Sequence, residues 1–193
     1  RDLIVTGVQT CALPIFNIRE INFIKFNRTD ITDISQMFEY CLSLRKINLL
    51  KMKTNNVQKM NNLFYCCLEL RELDLSNFNT SKVINMESMF TACENLKELI
   101  LDNFDISNVT NMKSMFAECG DLKYLNIKNF NISQETEIDD MFLTYVGLEK
   151  LECPILYIKD NIKNHNLIDD FPPKLKEKIR EKIIYVKKNF LTY

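Results

Sequence analysis

Few side chains in this chain of 193 residues could carry catalysis. His165 is the single histidine, and it lies in the polar stretch 163–166. A catalytic base needs a positioned nucleophile and an orienting partner, so we expect His165 to be a solvated loop residue. The chain contains 3 glycines, and a sequence this poor in glycine has no phosphate-cradling loop. We therefore predict that the protein is not an enzyme and has no cofactor.

The seven cysteines could instead form disulfides or bind a metal. Four of them recur at a constant interval of 26 residues, at Cys41, Cys67, Cys93 and Cys119. We expect these thiols to stack inside the protein, where a cysteine behaves as a small apolar side chain. No pair has the spacing of roughly two to four residues that a zinc site needs, so we predict no metal. Cys66 lies in a different column, and we expect it to be the most exposed and most reactive thiol.

The cysteine interval belongs to a longer repeat of 26 residues, which organises most of the chain. A Met-Phe or Leu-Phe pair recurs in five units, with its aromatic member at Phe38, Phe64, Phe90, Phe116 and Phe142. A leucine column follows at Leu44, Leu70, Leu96, Leu122 and Leu148. Repetition of several columns without an insertion indicates an array of equivalent units.

Each unit is predicted to contain one strand and one helix. Leu73 and Leu75 alternate with polar neighbours, as in a half-buried strand. Four apolar residues that follow have the spacing of one helix face: Val83, Met86, Phe90 and Cys93. Such units bury their apolar faces only by stacking. The predicted fold is therefore α/β: a solenoid of about five strand-helix units, with a parallel sheet on the concave side.

The outward residues of these strands are the predicted binding site, because a solenoid presents them as an extended surface. Two neighbouring columns vary in chemistry beside constant core columns. They supply the candidate protein-binding face: Lys46, Asn48, Glu72, Asp74, Glu98, Ile100, Tyr124 and Asn126. We expect Ile100 and Tyr124 to be the anchors, since apolar and aromatic groups contribute more to interfaces than exposed charges do. A solvated sheet with no ligand would show similar variability.

Three regions are predicted along the chain. Residues 1–15 are set aside, because the repeat fails there and the segment 5–15 resembles a translated sequencing adapter. The alternatives for this segment are a divergent N-terminal cap and the end of a signal peptide. Residues 16–153 form the solenoid. Residues 154–193 form a C-terminal cap, whose basic stretch 174–188 we interpret as a solvated face and not as a membrane contact.

The run from Leu70 to Leu96, LRELDLSNFNTSKVINMESMFTACENL, resembles the 26-residue repeat of BspA-type leucine-rich repeat surface proteins, which are abundant in mycoplasmas. The resemblance covers about residues 18–153. It implies that the predicted solenoid is a leucine-rich-repeat solenoid, displayed on or exported from a microbial cell, which binds host or neighbouring-cell proteins. It implies no catalysis and does not identify the ligand.

Composition narrows the possible partners. The formal net charge is −1, with 46% hydrophobic and 26% charged residues. These values argue against a disordered tail and against a generally basic nucleic-acid binder. No apolar run approaches the roughly 18 residues that span a bilayer. Within these limits, the resemblance implies a protein ligand, such as a host extracellular protein, at the cell surface or outside the cell. The alternative is an intracellular scaffold or regulatory module that uses the same face.

Overall fold

The computed structural model describes residues 2–5, 17–23, 28–133, 135–143, 150–152, 156–159 and 183–186. These ranges contain nine strands, numbered in chain order: β1 (Asp2–Val5), β2 (Glu20–Phe23), β3 (Lys46–Asn48), β4 (Glu72–Leu73), β5 (Glu98–Ile100), β6 (Tyr124–Asn126), β7 (Lys150–Glu152), β8 (Leu156–Lys159) and β9 (Ile183–Val186). His165, Cys11 and Cys153 lie outside the described residues, as does most of the predicted C-terminal cap.

Every strand pairing is parallel, and the strands fall into three sheets of order β1-β2-β3-β4, β5-β6-β7 and β8-β9. From β2 to β7, residues at equivalent positions of consecutive repeats pair within each sheet, as Ile21 pairs with Ile47 and Leu99 with Leu125. Strands thus lie near the four places that the repeat predicts, at residues 47, 73, 99 and 125. β1 begins 18 residues before β2, outside the 26-residue period. The predicted boundary at residue 15 stays a prediction.

The predicted helices are wrong. No described residue is helical, and the segment expected to form a helix between Val83 and Cys93 consists largely of turns. Ser88 and Ala92 in this segment have φ angles of 52° and 57°, which lie in the left-handed region that a right-handed helix excludes. The fold is therefore not a stack of strand-helix units, and the predicted α/β leucine-rich-repeat solenoid is replaced by an all-β array of short strands and turns.

The hydrogen bonds of these turns explain why no helix forms. We call the segments 34–41, 60–67, 86–93 and 112–119 the turn wall. In each segment, four alternate N–H groups donate to carbonyls of the next repeat, across 2.8–3.1 Å. The N–H of Phe90, for example, donates to the carbonyl of Met115, while that of Cys93 donates to the carbonyl of Phe90 within a turn. The i to i−4 pattern of a helix is absent from this bonding.

The side chains of the turn wall nevertheless point inward at helix-like intervals. Val83, Met86, Phe90 and Cys93 are all fully buried. Consecutive turns bring a side chain to the interior every three or four residues, which is also the repeat of an amphipathic helix. Apolar spacing alone could not distinguish the two conformations.

A phenylalanine stack runs through the core from repeat to repeat. Its rings lie 5.4–5.9 Å apart between centroids, with interplanar angles of 1–15°. Stacked aromatic pairs are worth roughly 0.5–1.5 kcal/mol beyond the area that they bury. The column supplies one ring per repeat: Phe38, Phe64, Phe90, Phe116 and Phe142.

Buried threonines form hydrogen bonds between consecutive repeats at positions where their side chains, and not the backbone alone, connect the two repeats. The Thr80 hydroxyl donates to the carbonyl of Asp105 at 2.9 Å and accepts from the N–H of Asp105 at 2.8 Å. Thr54 makes the same two contacts with Asn79, at 3.0 and 2.7 Å. Both threonines are 1% exposed. A further set of parallel bridges links Asp33 to Glu137 through the three repeats between them. The repeats are therefore hydrogen-bonded to one another on several sides.

Candidate protein-binding face

The first outward column of the strands is mixed in charge and exposed except at Tyr124, which is half-buried. Strand register places Lys46 beside Glu72, and Glu98 beside Tyr124. Lys46 Nζ lies 3.2 Å from Glu72 Oε2, and both side chains are more than half exposed. Exposed ion pairs of this kind contribute about 0–1 kcal/mol to stability. These side chains therefore remain available to a ligand at little cost to the fold.

Most residues of the second outward column use their side chains to stabilise local turns. The side-chain oxygens of Asn48, Asp74 and Asn126 each accept a hydrogen bond from the N–H two residues later, at 3.2, 2.9 and 3.2 Å. Hydrogen bonds from Ser76, first from its side chain and then from its backbone, lower the pKa of Asp74. Asn126 is 5% exposed, whereas Asn48 and Asp74 are exposed. Three of the eight predicted binding residues thus have a structural role of their own.

Ile100 interrupts this second column. Its side chain cannot accept the turn hydrogen bond, and it is 44% exposed although it is a large apolar group. Ile100 pairs with Asn126 and Glu98 pairs with Tyr124, so Ile100 and the half-buried Tyr124 are diagonal neighbours on the outward face of β5 and β6. The two anchors proposed from the sequence therefore lie on the same part of the surface.

Sequence reasoning missed a basic column beside this face. Exposed basic residues recur every 26 positions, at Arg19, Arg45, Arg71, Lys97 and Lys123. The N–H of Arg45 donates to the carbonyl of Arg19 at 2.8 Å, so the first two members are hydrogen-bonded neighbours. Glu69 Oε2 lies 3.4 Å from Arg45 Nε and 3.7 Å from Arg71 Nη2. The charges of this column are thus partly paired, and the 26-residue period would have revealed it.

Sequence reasoning also missed an aromatic pair on the turn wall, of which one member is exposed. The rings of Tyr40 and Tyr65 meet edge to face, with centroids 5.4 Å apart. Tyr40 is 52% exposed and has a φ of 57°. Tyr40 and Cys66 occupy equivalent positions of consecutive repeats. This difference is visible in the sequence, but it does not predict the backbone conformation at the position.

The cysteine column is buried, as predicted. None of the five described cysteines forms a disulfide. The Sγ atoms of Cys67 and Cys119 donate to carbonyls of Phe38 and Phe90, each at 3.1 Å. Burial raises the pKa of Cys119 to about 12 and raises that of Cys93 well above the usual value. These thiols are therefore protonated at neutral pH, as their role as donors requires.

Cys66 is more exposed than the cysteine column, as expected, but it is not activated. It is half-buried, and burial is the main reason why the pKa of its thiol is raised. The thiolate is the nucleophilic form of cysteine. The predicted reactivity of Cys66 therefore depends on access alone.

Within the described ranges, no group of three or more His, Cys, Asp or Glu side chains is arranged to hold a metal ion. The same part of the chain has no helix long and apolar enough to cross a membrane.

A family model described as "Mycoplasma protein of unknown function, DUF285" matches residues 12–100 and again residues 65–151. The two matches together cover residues 12 to 151, well over half of the 193 residues. Neither the curated proteins nor the solved structures contain a match.

Proposed function

Since the chain belongs to this mycoplasma family, DUF285, we propose that it is a non-catalytic protein-recognition module of a microbial surface protein. It binds a host or neighbouring-cell protein through the outward face of its strands, and it acts in adhesion. The observation that carries this proposal is the exposure of Ile100 beside Tyr124 on β5 and β6. A constant buried core below a varied outer surface is the arrangement by which repeat proteins change ligand without changing fold.

The energetics of interfaces favour this pair over the charged residues around it. Binding energy concentrates in a few aromatic, apolar or Arg side chains surrounded by polar contacts. Ile100 and Tyr124 have such a surround, since Glu98 is exposed in the adjacent register position. Lys46 and Glu72 already pair with each other, so their contribution to binding is expected to be smaller.

The finer relationship that we propose is with BspA-type surface proteins. It is supported by the shared 26-residue spacing of leucine, Met-Phe and cysteine columns, seen most fully between Leu70 and Leu96. This relationship supports a location at the cell surface, and it concerns sequence columns and not a helical repeat structure.

The test combines location with ligand capture. An antibody to the repeats should label intact cells, and the immobilised full chain should retain a host extracellular protein. Ile100→Ala with Tyr124→Ala should reduce retention of that protein by about tenfold or more, since central anchors cost over 1 kcal/mol when truncated. Ile84→Ala is the matched control, because Ile84 is also an exposed isoleucine, at 41%, in a different column. Equal losses with both variants would contradict the assignment to the strand face.

The second candidate is an intracellular scaffold or regulatory module. The thiol column favours it, because proteins in reducing compartments keep cysteines unlinked, and Cys67, Cys93 and Cys119 carry thiols. Absence of labelling on intact cells, with labelling after permeabilisation, would select this alternative.

A further inference from the structure

A tyrosine stands at a backbone position that disfavours it. Tyr40 has a φ of 57°, and a bulky residue in the left-handed region is a conformational outlier. The fold requires this conformation in each of the four repeats where the position is described, because Cys66, Ala92 and Glu118 at the equivalent positions also have φ values of 55–58°. The fold does not require an aromatic ring there, since Ala92 occupies the same position.

Burial does not compensate for this choice of residue. Tyr40 is 52% exposed, whereas Ala92 is 3% exposed. The backbone of Tyr40 is held in place by its N–H, which donates to the carbonyl of Tyr65 at 2.8 Å. The ring is thus presented to solvent on a fixed backbone.

Tyr65 in the next repeat completes an aromatic corner, which we define as Tyr40, Leu42, Tyr65 and Leu68. The two rings meet edge to face at 5.4 Å. Leu42 and Leu68 follow in the same two repeats and are half-buried. The Tyr40 ring is the exposed member of the pair, and Tyr65 is half-buried. Glu94 and Gly120 replace the leucines in the following repeats.

Negative charge gathers around the aromatic corner. Glu39 directly precedes Tyr40 and is half-buried, and Glu118 occupies the column of Tyr40 two repeats beyond Cys66. Burial raises the pKa of the Cys66 thiol. The charges of three glutamates raise the pKa of the same thiol further, and they come from three different repeats: Glu118, Glu39 and Glu94. Their fields therefore overlap at Cys66, which directly follows Tyr65 in the chain.

We propose that the aromatic corner binds an Arg or Lys side chain of a protein partner, with the cation placed against an exposed tyrosine ring and the apolar stem against Leu42 and Leu68. A cation is attracted to the face of an aromatic ring within about 6 Å of its centroid, and nearby carboxylates strengthen that attraction. Arg and Lys carry the aliphatic stem that half-buried leucines accommodate. This surface lies on the turn wall, so the proposal goes beyond binding by the strand face.

The probe is a capped peptide of alternating Arg and Gly, titrated into the full chain at low salt and followed by NMR. Tyr40→Leu should weaken binding about 2- to 30-fold, the range expected for loss of a cation–π contact. Tyr40→Phe should retain binding within about twofold, because the ring persists. Leu50→Ala is the matched control, because Leu50 is an apolar residue of similar exposure, at 55%, in a different column, and its loss should leave binding unchanged. Each variant is checked for an unchanged pattern of amide shifts, which separates lost binding from lost folding.

A second peptide and a Glu118 variant test the proposal further. A capped peptide of alternating Leu and Gly should bind at least tenfold more weakly than the Arg peptide, and equal binding would mean a simple apolar surface and overturn the proposal. Glu118→Gln should weaken binding severalfold through loss of charge. If Glu118→Gln weakened binding while Tyr40→Leu did not, attraction would be purely electrostatic, and the assignment of a ring-bound cation would be wrong. Variants of the strand face test the proposed function in a separate experiment. The proposal for the aromatic corner and the proposed function can therefore each be wrong independently of the other.

Discussion

The Sγ atom of Cys93 donates a hydrogen bond to the backbone carbonyl of Phe64, across 3.3 Å and between neighbouring repeats. Cys67 and Cys119 make the same contact with the phenylalanine one repeat earlier. The cysteine column and the phenylalanine stack are therefore joined in the interior, and each thiol fills a small space as well as satisfying a carbonyl.

Truncation of a column cysteine should destabilise the protein. We expect Cys93→Ala to lower the free energy of unfolding by about 1–2 kcal/mol, from a small cavity and the lost hydrogen bond. The matched variant Cys66→Ala should change it by less than about 0.5 kcal/mol, since Cys66 is half-buried and surface changes are usually small. Denaturant unfolding measures both, and equal effects would show that the column contacts add nothing.

Stability should fall at high pH through the buried thiols. The pKa of Cys119 is raised from 9.0 to about 12 in the folded protein. Below about pH 9 the thiol is protonated in both states, so it gives no pH dependence. As the pH rises from 9.0 towards about 12, the unfolded state loses a proton that the folded state keeps. The free energy of unfolding therefore decreases, by up to about 1.4 kcal/mol per pH unit.

Other groups titrate in the same range, so the thiol effect is measured as a difference. The slope of unfolding free energy against pH should become shallower in Cys119→Ala than in the unmodified protein. Parallel slopes above pH 9.0 would show that Cys119 is not the group responsible.

Glycine should be tolerated, and even favoured, at the left-handed positions. Glu118 has a φ of 58°, a conformation that costs a residue with a β-carbon about 1–2 kcal/mol. Glu118→Gly should raise the unfolding free energy by about 0.5 kcal/mol, after part of the gain is lost to the greater freedom of the unfolded chain. Glu98→Gly, in strand β5, should lower it by about 0.5–1 kcal/mol. Thermal unfolding of the two variants compares them, and destabilisation by both would argue against relief of backbone strain.

The buried threonine link should be sensitive to loss of its hydroxyl. Thr80→Val keeps the shape of the side chain but leaves the N–H and carbonyl of Asp105 without this partner. We expect a loss of about 1–3 kcal/mol, the cost of unsatisfied buried polar groups. Thr32→Val, at an exposed position, should remain within about 0.5 kcal/mol. If Thr80→Val proved neutral in chemical denaturation, water or a backbone shift would have to replace the hydroxyl.

The sequence predicted the period and the interior of this protein much better than its backbone path. The columns of Phe90 and Cys93 are buried as expected, because exact repetition of apolar residues identifies positions that face a common core. The helix predicted between Val83 and Cys93 was wrong, because inward spacing reports which side chains are buried and not where each N–H finds its acceptor. Left-handed φ values at Ser88 and Ala92 have no sequence signature here, since neither residue is glycine.

The candidate site was also only partly predictable from the sequence. Exposure of Ile100 followed from its place in an outward strand column. Burial of Asn126 did not, because polar residues are normally expected outside and this one serves a turn. The ring of Tyr40 was overlooked because the supposed helix gave its position no special meaning.

The hydrogen bonds that join each turn-wall segment to the next repeat all run in one direction, from an N–H in one repeat to a carbonyl in the following one. Peptide dipoles aligned in this way add together, as they do along a helix. The C-terminal end of the wall therefore carries partial positive charge, and the N-terminal end carries partial negative charge. Carboxylates of Glu137, Asp139 and Asp140 occupy the positive end, where they are favourable. The turn wall thus has an electrical direction that is set by its backbone, and its two ends would attract counterions of opposite sign.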